Sequence, residues 1–204
     1  MIKIIDYKAG NAPSVLHAVE RLGYKAEFAA VPEDLKNASC IILPGVGSAG
    51  ATMVSLHGSG MADALTEYVM FKKIPFLGVC VGMQILFEHS EEEDAFCFGW
   101  LKGRVKKFDP SLVRVPQMGW NHVRFVNETP LNAADGYFYF VNSYYAKPED
   151  PGDIWGIANY GEDFTAAVRR GNIYGTQFHI EKSGEIGLLL LKEFIHNRPV
   201  EQVQ

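Results

Sequence analysis

The sequence predicts an α/β fold: an open, mostly parallel sheet with helices on both faces and added antiparallel strands in the second half. The first observation is that short apolar segments alternate with helical patterns through the first half of the chain, as in a parallel sheet. The second is that short strand patterns separated by Gly, Pro and Asn fill most of the second half. The length of 204 residues and the 48% hydrophobic content favour one folded domain, residues 1–204.

The first half begins with Met1–Asp6, an apolar segment typical of a buried strand. In the helical pattern that follows, Ser14 is the expected N-cap and Gly23 the expected end of the helix. The other predicted elements of this half are the strands Lys25–Phe28, Ser39–Leu43 and Pro75–Val79 and the helices Met61–Phe71 and Gly82–His89.

The second half changes from alternation to a succession of short strands, which we expect to extend the sheet with antiparallel pairs. A helical pattern at Ser183–His196 closes the chain. The predicted strands are Trp100–Phe108, Val113–Val115, His122–Val126, Tyr137–Asn142, Ile154–Tyr160, Ala166–Arg169 and Ile173–Phe178.

The composition excludes several classes of function. The formal net charge is −5, which gives no electrostatic reason for a nucleic acid or an anionic membrane as partner. No apolar segment approaches the ~20 residues of a membrane-spanning helix, and Met1–Asp6 lacks the features of a signal peptide. Cys40, Cys80 and Cys97 are too few and too widely spaced for a disulfide framework or a paired-cysteine metal site. We therefore expect a cytoplasmic protein that needs no metal and no other cofactor.

The strongest local signal is Gly78–Gly82, a G-x-C-x-G segment between a strand pattern and a helical pattern. Its glycines allow the sharp strand-to-helix turn of a nucleophile elbow, which exposes the central side chain. Cys80 would then lie at the start of a helix, where the dipole favours a thiolate and free backbone N–H groups can receive an oxyanion. The alternative is a structural cysteine buried between two glycines, and the pentapeptide alone does not separate the two.

A cysteine nucleophile needs a base and a group that orients the base. His179 stands at the end of the last strand pattern, and Glu181 follows two residues later. In an extended chain, residues i and i+2 point to the same side, so this imidazole and this carboxylate can act together. A surface histidine is the commoner case at such a position, but the cysteine elbow and the nearby glutamate weaken that alternative.

The segment Gly45–Gly50 matches G-x-G-x-x-G but does not fit a dinucleotide site. It follows the third strand rather than the first, Pro44 precedes it, and the expected acidic residue for the ribose is missing. Backbone N–H groups of such a loop are better suited to an oxyanion or carboxylate opposite Cys80. The alternative is an ordinary flexible turn.

Two segments, Gly78–Gln84 and Phe178–Glu181, resemble the class I (triad) glutamine amidotransferases. Four further segments narrow the resemblance to the glutaminase subunits of imidazole glycerol phosphate synthases, which act in histidine biosynthesis. These segments are Asp6–Asn11, Pro44–Ser48, Pro116–Asn121 and Tyr139–Tyr144. The similarity runs in order along nearly the whole chain.

The resemblance implies a role for each site residue. Cys80 would attack the side-chain amide of L-glutamine, His179 would act as base and then as acid, and Glu181 would orient the imidazole. The implied oxyanion contacts come from Gly45, Val46, Gly47 and Val81. The implied glutamine pocket consists of Gln84, Glu92, Asn142, Ser143 and Tyr144, although a solvated acidic surface is an alternative for Glu92.

The resemblance also implies a partner, a separate cyclase subunit of (β/α)8-barrel type that receives the ammonia. Free ammonia becomes ammonium in water and loses its nucleophilicity, so direct transfer is required. The sequence shows no phosphate-binding loop or basic cluster, which fits a phosphorylated acceptor held by the partner. The positions implied at or near the interface are Asn11, Gln117, Trp120 and Lys182, and Trp120 is equally a candidate core aromatic.

Three departures from the family pattern leave the pathway open. Ile180 replaces a proline between the histidine and the glutamate, and Gln117 and Asn142 replace histidines. None of them removes a triad residue. The alternatives that remain are an amidotransferase that serves another barrel enzyme, such as one that aminates surface-polysaccharide sugars, a stand-alone γ-glutamyl cysteine hydrolase, and a non-catalytic regulatory protein on the same fold.

Overall fold

We describe the chain from a computed structural model, which defines residues 1–8, 11–126 and 131–196. Gly10, part of one of the family segments, lies outside the described residues. In this part of the chain one sheet contains 13 strands. In chain order they are β1 (Ile2–Ile5), β2 (Ala26–Ala29), β3 (Cys40–Gly45), β4 (Phe76–Cys80), β5 (His89–Ser90), β6 (Ala95–Phe96), β7 (Gly103–Lys107), β8 (Gln117–Phe125), β9 (Gly136–Asn142), β10 (Tyr144–Pro148), β11 (Ile154–Tyr160), β12 (Glu162–Arg170) and β13 (Ile173–Thr176).

The centre of the sheet is parallel, as predicted, in the order β2-β1-β3-β4-β13. Every residue of β1, β3, β4 and β13 is buried, which explains why these strands read as continuous apolar segments. The register pairs Gly45 with Cys80 and Val79 with Thr176. The carboxyl ends of β3, β4 and β13 therefore lie side by side, at the edge where open α/β sheets form their sites.

Two groups of helices cover this sheet. The α-helices are α1 (Ala12–Arg21), α2 (Ala49–Gly58), α3 (Met61–Thr66), α4 (Val81–Gln84) and α5 (Gly184–His196). Helices α1 and α5 contact each other, whereas α2 contacts α3 and α4. A π-helical turn, Glu67–Phe71, extends α3. The predicted helix Met61–Phe71 is therefore confirmed, although its last turn is π-helical rather than α-helical.

The second half adds the predicted antiparallel strands. Strand β12 pairs antiparallel with β13 and β10, and β10 pairs antiparallel with β7. Beyond β7 the sheet ends in two short strands that were not predicted, β5, which pairs with β7 in parallel, and β6. Strand β12 also pairs with β11, from which β8 and β9 continue as a separate antiparallel branch. This branch brings residues 142–144, where β9 ends and β10 begins, next to the carboxyl end of β4.

Several predicted boundaries were wrong, each for a local reason. The helix expected at Gly82–His89 ends at Gln84, because the backbone of residues 85–88 exchanges hydrogen bonds with residues 97–103. Val113–Val115 is not a strand, since the N–H groups of Leu112 and Val113 close a turn on Asp109. Ser14 is not the N-cap of α1: the helix begins one residue after Asn11, although Gly23, with φ +85°, ends it as expected.

Helix α2 and strand β10 were not predicted, and the predicted start of β8 was wrong. Helix α2 follows directly on the glycine loop, and the Ser48 hydroxyl caps it by accepting a hydrogen bond from the Ala51 N–H at 3.2 Å. Strand β8 starts at Gln117 rather than at His122, and β10 was missed because it begins two residues after β9 ends.

Candidate active site

Cys80 occupies a strained backbone position between β4 and α4. Its φ of 56° and ψ of −110° are unusual for a residue with a side chain. The flanking glycines make the turn possible: a Cβ on Gly78 would lie 2.3 Å from the Gly82 carbonyl oxygen, and one on Gly82 would lie 2.1 Å from that of Leu43. The elbow predicted from the sequence is therefore present, with the thiol at the carboxyl edge of the sheet.

His179 and Glu181 lie together beside this thiol. His179 Nδ1 is 2.9 Å from Glu181 Oε1, and this contact leaves the other ring nitrogen for the neighbouring Cys80 thiol, which interacts with the imidazole. Both side chains are enclosed, since 4% of His179 and 0% of Glu181 remain exposed. The three residues form a chain from sulfur to imidazole to carboxylate, the arrangement that activates a nucleophile.

The pKa values in this chain are shifted by its mutual contacts. Burial alone lowers the pKa of His179, but the hydrogen bonds and charges of Cys80 and Glu181 outweigh burial and raise it to about 9. Burial alone raises the pKa of Glu181, but the contacts with His179 and Asn11 hold it below its ordinary value. At neutral pH the site therefore favours a protonated imidazole next to an ionised carboxylate.

Three further residues, to which the sequence assigned no role, hold the sulfur and the histidine in place. Gln177 Nε2 lies 3.7 Å from Cys80 Sγ. The Ser183 hydroxyl donates to the His179 carbonyl at 2.6 Å and accepts from the Tyr139 N–H at 3.0 Å. The His179 N–H in turn donates to the Tyr139 carbonyl at 2.9 Å, so strand β9 fixes the backbone of the histidine segment.

A cavity of ≈ 280 Å³ opens in front of Cys80 and His179. Most of the predicted site residues line it, together with Pro116 and Val141, which were not predicted. The predicted residues in the lining are Val46, Gly47, Cys80, Val81, Gln84, Glu92, Asn142, Ser143, Tyr144 and His179. Glu181 lies behind the imidazole rather than in the lining, as a residue that orients the histidine must.

The predicted oxyanion residues lie on the two sides of the thiol. Val46 and Gly47 form the turn between β3 and α2, and Val81 begins α4, where backbone N–H groups lack helical partners. Gly45 does not line the cavity; a Cβ there would lie 2.5 Å from the Gly82 backbone nitrogen. The structure thus gives Gly45 a packing function that lets the loop approach the elbow.

Two amides fix the wall of the cavity opposite that loop. Gln84 Nε2 and Asn142 Nδ2 each donate to the Tyr144 carbonyl at 3.0 Å. Gln84 also donates to Gln177 Oε1 at 3.0 Å, which ties this wall to the residue beside the sulfur. These contacts keep the segment 142–144 rigid while the Ser143 and Tyr144 side chains remain partly exposed.

Glu92 supplies an acidic group at the mouth of the cavity. Its Oε2 accepts a hydrogen bond from the Ala49 N–H at 2.9 Å, at the start of α2. Burial raises the pKa of Glu92, and the N–H of Ala49 partly offsets that effect. The alternative of a purely solvated acidic surface does not describe this residue, although its neighbour Glu91 is exposed.

The four residues predicted near an interface separate into two pairs. Trp120 and Lys182 are exposed, and the edge of the Trp120 ring packs against Tyr139. Trp120 is therefore not a core aromatic in this chain. Asn11 and Gln117 are buried, with 5% and 3% exposed, and Asn11 contacts the His179–Glu181 pair directly.

Neither of the other two cysteines has the environment of a reactive thiol. Burial and the charge of Glu92 raise the pKa of Cys97 to about 11, so this thiol stays protonated at neutral pH, and Cys40 is buried in β3. Across residues 1–8, 11–126 and 131–196, no three His, Cys, Asp or Glu side chains cluster closely enough to hold a metal ion. No helix in the same ranges has the length and apolar character needed to cross a membrane.

A strained cysteine, a hydrogen-bonded imidazole and a buried carboxylate at the carboxyl edge of a parallel sheet define a thiol-dependent acyl-transfer enzyme. Comparison with known families agrees: the model of the glutamine amidotransferase class-I family matches residues 3–197. The chain therefore belongs to the class-I glutamine amidotransferases and, within them, groups with the HisH proteins described next.

Curated relatives carry the name imidazole glycerol phosphate synthase subunit HisH. The protein from Leptospira interrogans is 45% identical over 201 residues, covering 95% of this chain and 98% of the relative. HisH 2 of Pseudomonas aeruginosa is 46% identical over 199 residues, covering 96% of this chain and 98% of its own length. The chloroplastic hisHF protein of Arabidopsis thaliana is 40% identical, and the match covers 96% of this chain but 34% of that protein.

Solved structures show the same fold at low sequence identity. A glutamine amidotransferase crystal structure superimposes with a TM-score of 0.79 at 18% identity, covering 98% of this chain and 99% of the other. PurLQS from Thermotoga maritima gives a TM-score of 0.77 at 19% identity, covering 96% of this chain and 97% of the other. The fold predicted from the sequence is confirmed.

Proposed function

We propose that this chain, as one amidotransferase domain, is the glutaminase subunit of an imidazole glycerol phosphate synthase. The observation that carries the proposal is the chain of interacting side chains from Cys80 through His179 to Glu181, which opens into a cavity of ≈ 280 Å³. The HisH names of relatives that match over nearly their whole length support the choice of synthase. A reactive thiol of this kind fits the reducing cytoplasm.

The proposed reaction starts from the Cys80 thiolate and protonated His179. The sulfur attacks the side-chain amide carbon of glutamine, forming the S–C bond and placing negative charge on the amide oxygen. His179 donates its proton to the leaving nitrogen, the C–N bond breaks, and ammonia departs from a γ-glutamyl thioester. A water molecule then gives a proton to His179 and attacks the thioester, which releases glutamate and restores the thiolate.

The surrounding groups support each step. Backbone N–H groups of the Val46–Gly47 loop and of Val81 are the proposed donors to the oxyanion. Glu181 stabilises the imidazolium in both half-reactions, because its buried carboxylate contacts His179 Nδ1 at 2.9 Å. Glu92, at the cavity mouth, is the proposed partner of the substrate's α-ammonium group, with Gln84, Asn142, Ser143 and Tyr144 forming the wall.

Ammonia requires an acceptor, and we propose that a cyclase subunit of (β/α)8-barrel type supplies it. The Arabidopsis hisHF relative devotes 34% of its length to a segment like this chain, which leaves room for a second part. On the surface of this chain, Met118, Trp120 and Tyr137 expose 67%, 55% and 62% of their area on the β8–β9 branch. Large exposed aromatic side chains of this kind are typical anchors of protein interfaces.

Glutamine hydrolysis, measured with and without the cyclase and its ribotide ligand, tests the proposal. We expect low activity alone, strong stimulation in the complex, and formation of imidazole glycerol phosphate. Cys80→Ala is expected to abolish hydrolysis, whereas Cys97→Ala, which removes a thiol outside the cavity, leaves it intact. Full activity in Cys80→Ala would exclude the mechanism.

The same assay separates the alternatives. Strong hydrolysis without any partner would favour a stand-alone γ-glutamyl hydrolase. Stimulation by a different barrel enzyme, with no imidazole glycerol phosphate formed, would favour an amidotransferase for another acceptor. Complete inactivity with every partner would favour a non-catalytic protein, although the intact Cys80, His179 and Glu181 argue against it.

A further inference from the structure

Asn11 uses its side chain in an unexpected way. It stands at the N-cap of α1, where asparagine ordinarily accepts a hydrogen bond from the first turn, yet it makes no side-chain cap contact. Its backbone carbonyl alone accepts from the N–H groups of Ser14 and Val15. The side-chain amide is therefore free for another contact.

That contact is with the triad. Asn11 Nδ2 donates to Glu181 Oε1 at 2.6 Å, across 170 residues of sequence, and lies 3.4 Å from His179 Nδ1. One oxygen of Glu181 thus accepts from both Asn11 and His179, while Oε2 is buried without a hydrogen-bond partner among the described residues. The amide and the imidazole are therefore the two side-chain donors to this buried carboxylate, and both reach the same oxygen.

We propose that Asn11 is a positioning residue of the triad, whose amide holds Glu181 Oε1 in the geometry and the ionised state that orient His179. A carboxylate with no exposed area is costly unless it accepts hydrogen bonds. The Asn11 amide is neutral, so it stabilises the anion without competing with His179 for the proton. This residue would act through Glu181 and does not reach the sulfur.

The titratable groups around Glu181 make the proposal testable by pH. Burial raises the pKa of Glu181, and the contact with His179, on the same turn, is the largest of the effects that lower it. Cys80 acts on this pair through His179, and α1 contributes the Asn11 amide. Removing the amide takes away one of the contacts that lower the pKa, so the pKa of Glu181 rises. Replacing the amide by a second carboxyl couples two acids that share a proton at low pH and repel at high pH.

The two substitutions therefore have opposite signatures. In Asn11→Leu, activity relative to wild type falls as the pH decreases, because Glu181 is protonated at a higher pH. In Asn11→Asp, which has nearly the same shape, relative activity falls as the pH rises, because a protonated Asp replaces the amide donor only at low pH. We expect losses of about 10-fold or more in kcat/KM at the unfavourable end of each profile.

Asn159 provides a matched control. Its Nδ2 donates to Asp163 Oδ1 at 2.7 Å, the same type of amide–carboxylate hydrogen bond, but on an exposed part of β11. Asn159→Leu and Asn159→Asp are expected to leave both the pH profile and kcat/KM unchanged. Thermal unfolding of all four variants shows whether each is folded at the assay temperature.

The activity readout rests on the proposed function, so a second readout is independent of glutamine. The rate at which iodoacetamide alkylates Cys80, followed by mass spectrometry of its peptide between pH 5 and 10, reports the His179–Glu181 pair directly. Opposite displacements of the alkylation profiles of Asn11→Leu and Asn11→Asp would support the proposal even if no glutamine were hydrolysed. Profiles parallel to wild type in both variants would overturn it, whatever the glutaminase assay shows.

Discussion

The protonation of His179 links the chemistry of the site to pH. Its pKa is raised from 6.5 to about 9, so the contribution of its contacts to stability is fully present below 6.5 and is lost as the pH rises through about 9. Activity that requires protonated His179 as the acid for ammonia should decline over the same upper range.

Glu181→Gln tests this assignment. The substitution removes the negative charge that helps to raise the pKa of His179, so we expect that pKa, and the alkaline limit of hydrolysis, to move to lower pH. Histidine NMR titration measures the pKa of His179, and a pH–rate profile measures the alkaline limit of hydrolysis. Exposed His17 on α1 serves as the internal reference, and its resonance should not differ between the two proteins. An unchanged His179 titration would contradict the role given to Glu181.

Ser183→Ala should destabilise the histidine segment. The hydroxyl bridges His179 and Tyr139, so its removal leaves a buried carbonyl and a partly buried N–H without this partner, at a cost of about 1–3 kcal/mol. Ser59→Ala is the matched control, because the Ser59 hydroxyl also donates to a backbone carbonyl but is exposed. Urea unfolding should show a larger loss of unfolding free energy for Ser183→Ala than for Ser59→Ala. Equal losses would show that the Ser183 bridge does not stabilise the histidine segment.

The residues that the sequence predicted best are those whose function depends on close neighbours in the chain. Cys80 is marked by its own glycines, and Glu181 lies two residues from His179. Gln177 was missed because Cys80 lies 97 residues away, and the bridge made by Ser183 was missed because its second partner, Tyr139, lies 44 residues away. Nothing in the local pattern identifies those partners. The departure at Ile180 did not separate the histidine from the glutamate, since the buried isoleucine and the Tyr139 contact hold the turn.

At the scale of elements, the elbow depends on the close approach of β3 and α4. Gly82→Ala would place a Cβ 2.1 Å from the Leu43 carbonyl, which forces the two elements apart. We expect a loss of several kcal/mol in unfolding free energy, with little or no folded protein at 37 °C.

Gly58→Ala is the control for that substitution. Gly58 ends α2, and a Cβ there meets nothing within 4 Å. Alanine should therefore leave stability unchanged or raise it by up to about 1 kcal/mol. Denaturant unfolding of both variants provides the comparison, and similar stabilities would show that the elbow tolerates a side chain.

Elements with a clear pattern of apolar residues were predicted, and elements without such a pattern were not. The buried strands of the parallel centre are visible as apolar segments, but the apolar residues of α2 are distributed around the helix, so no helical period marks it. The end of α4 was misplaced because residues 85–88 satisfy their backbone groups with a distant segment. Local propensity cannot reveal that exchange.

At the scale of the molecule, the site exists because β3, β4 and β13 end at one edge of the sheet. The chain order of the strands did not reveal that β13 pairs with β4, which places Thr176 opposite Val79. This pairing brings Gln177 beside Cys80, 97 residues earlier in the chain. Nor did it reveal that the β8–β9 branch places both the cavity wall and an exposed aromatic surface beside that edge. This arrangement connects the proposed docking surface to the histidine segment through Tyr139.

Trp120 provides the test of that docking surface. On β8, Met118, Trp120 and His122 alternate outward, and Trp120 pairs with Tyr139 on β9, close to Gly184 at the start of α5. Since a central exposed tryptophan is a typical binding hot spot, Trp120→Ala should weaken binding of the cyclase by about 2 kcal/mol or more, roughly 30-fold in Kd.

The control for Trp120→Ala lies at the other end of the sheet. Phe71 is 78% exposed near the amino end of β4, so Phe71→Ala removes exposed aromatic area without touching the β8–β9 branch. Calorimetric titration with the cyclase should show wild-type affinity for this variant. Hydrolysis by Trp120→Ala alone should equal that of wild type, whereas its stimulation should require more cyclase, because the substitution acts on association and not on Cys80. If Trp120→Ala binds as tightly as Phe71→Ala, the partner docks elsewhere, and the exposed residues of the β8–β9 branch need another explanation.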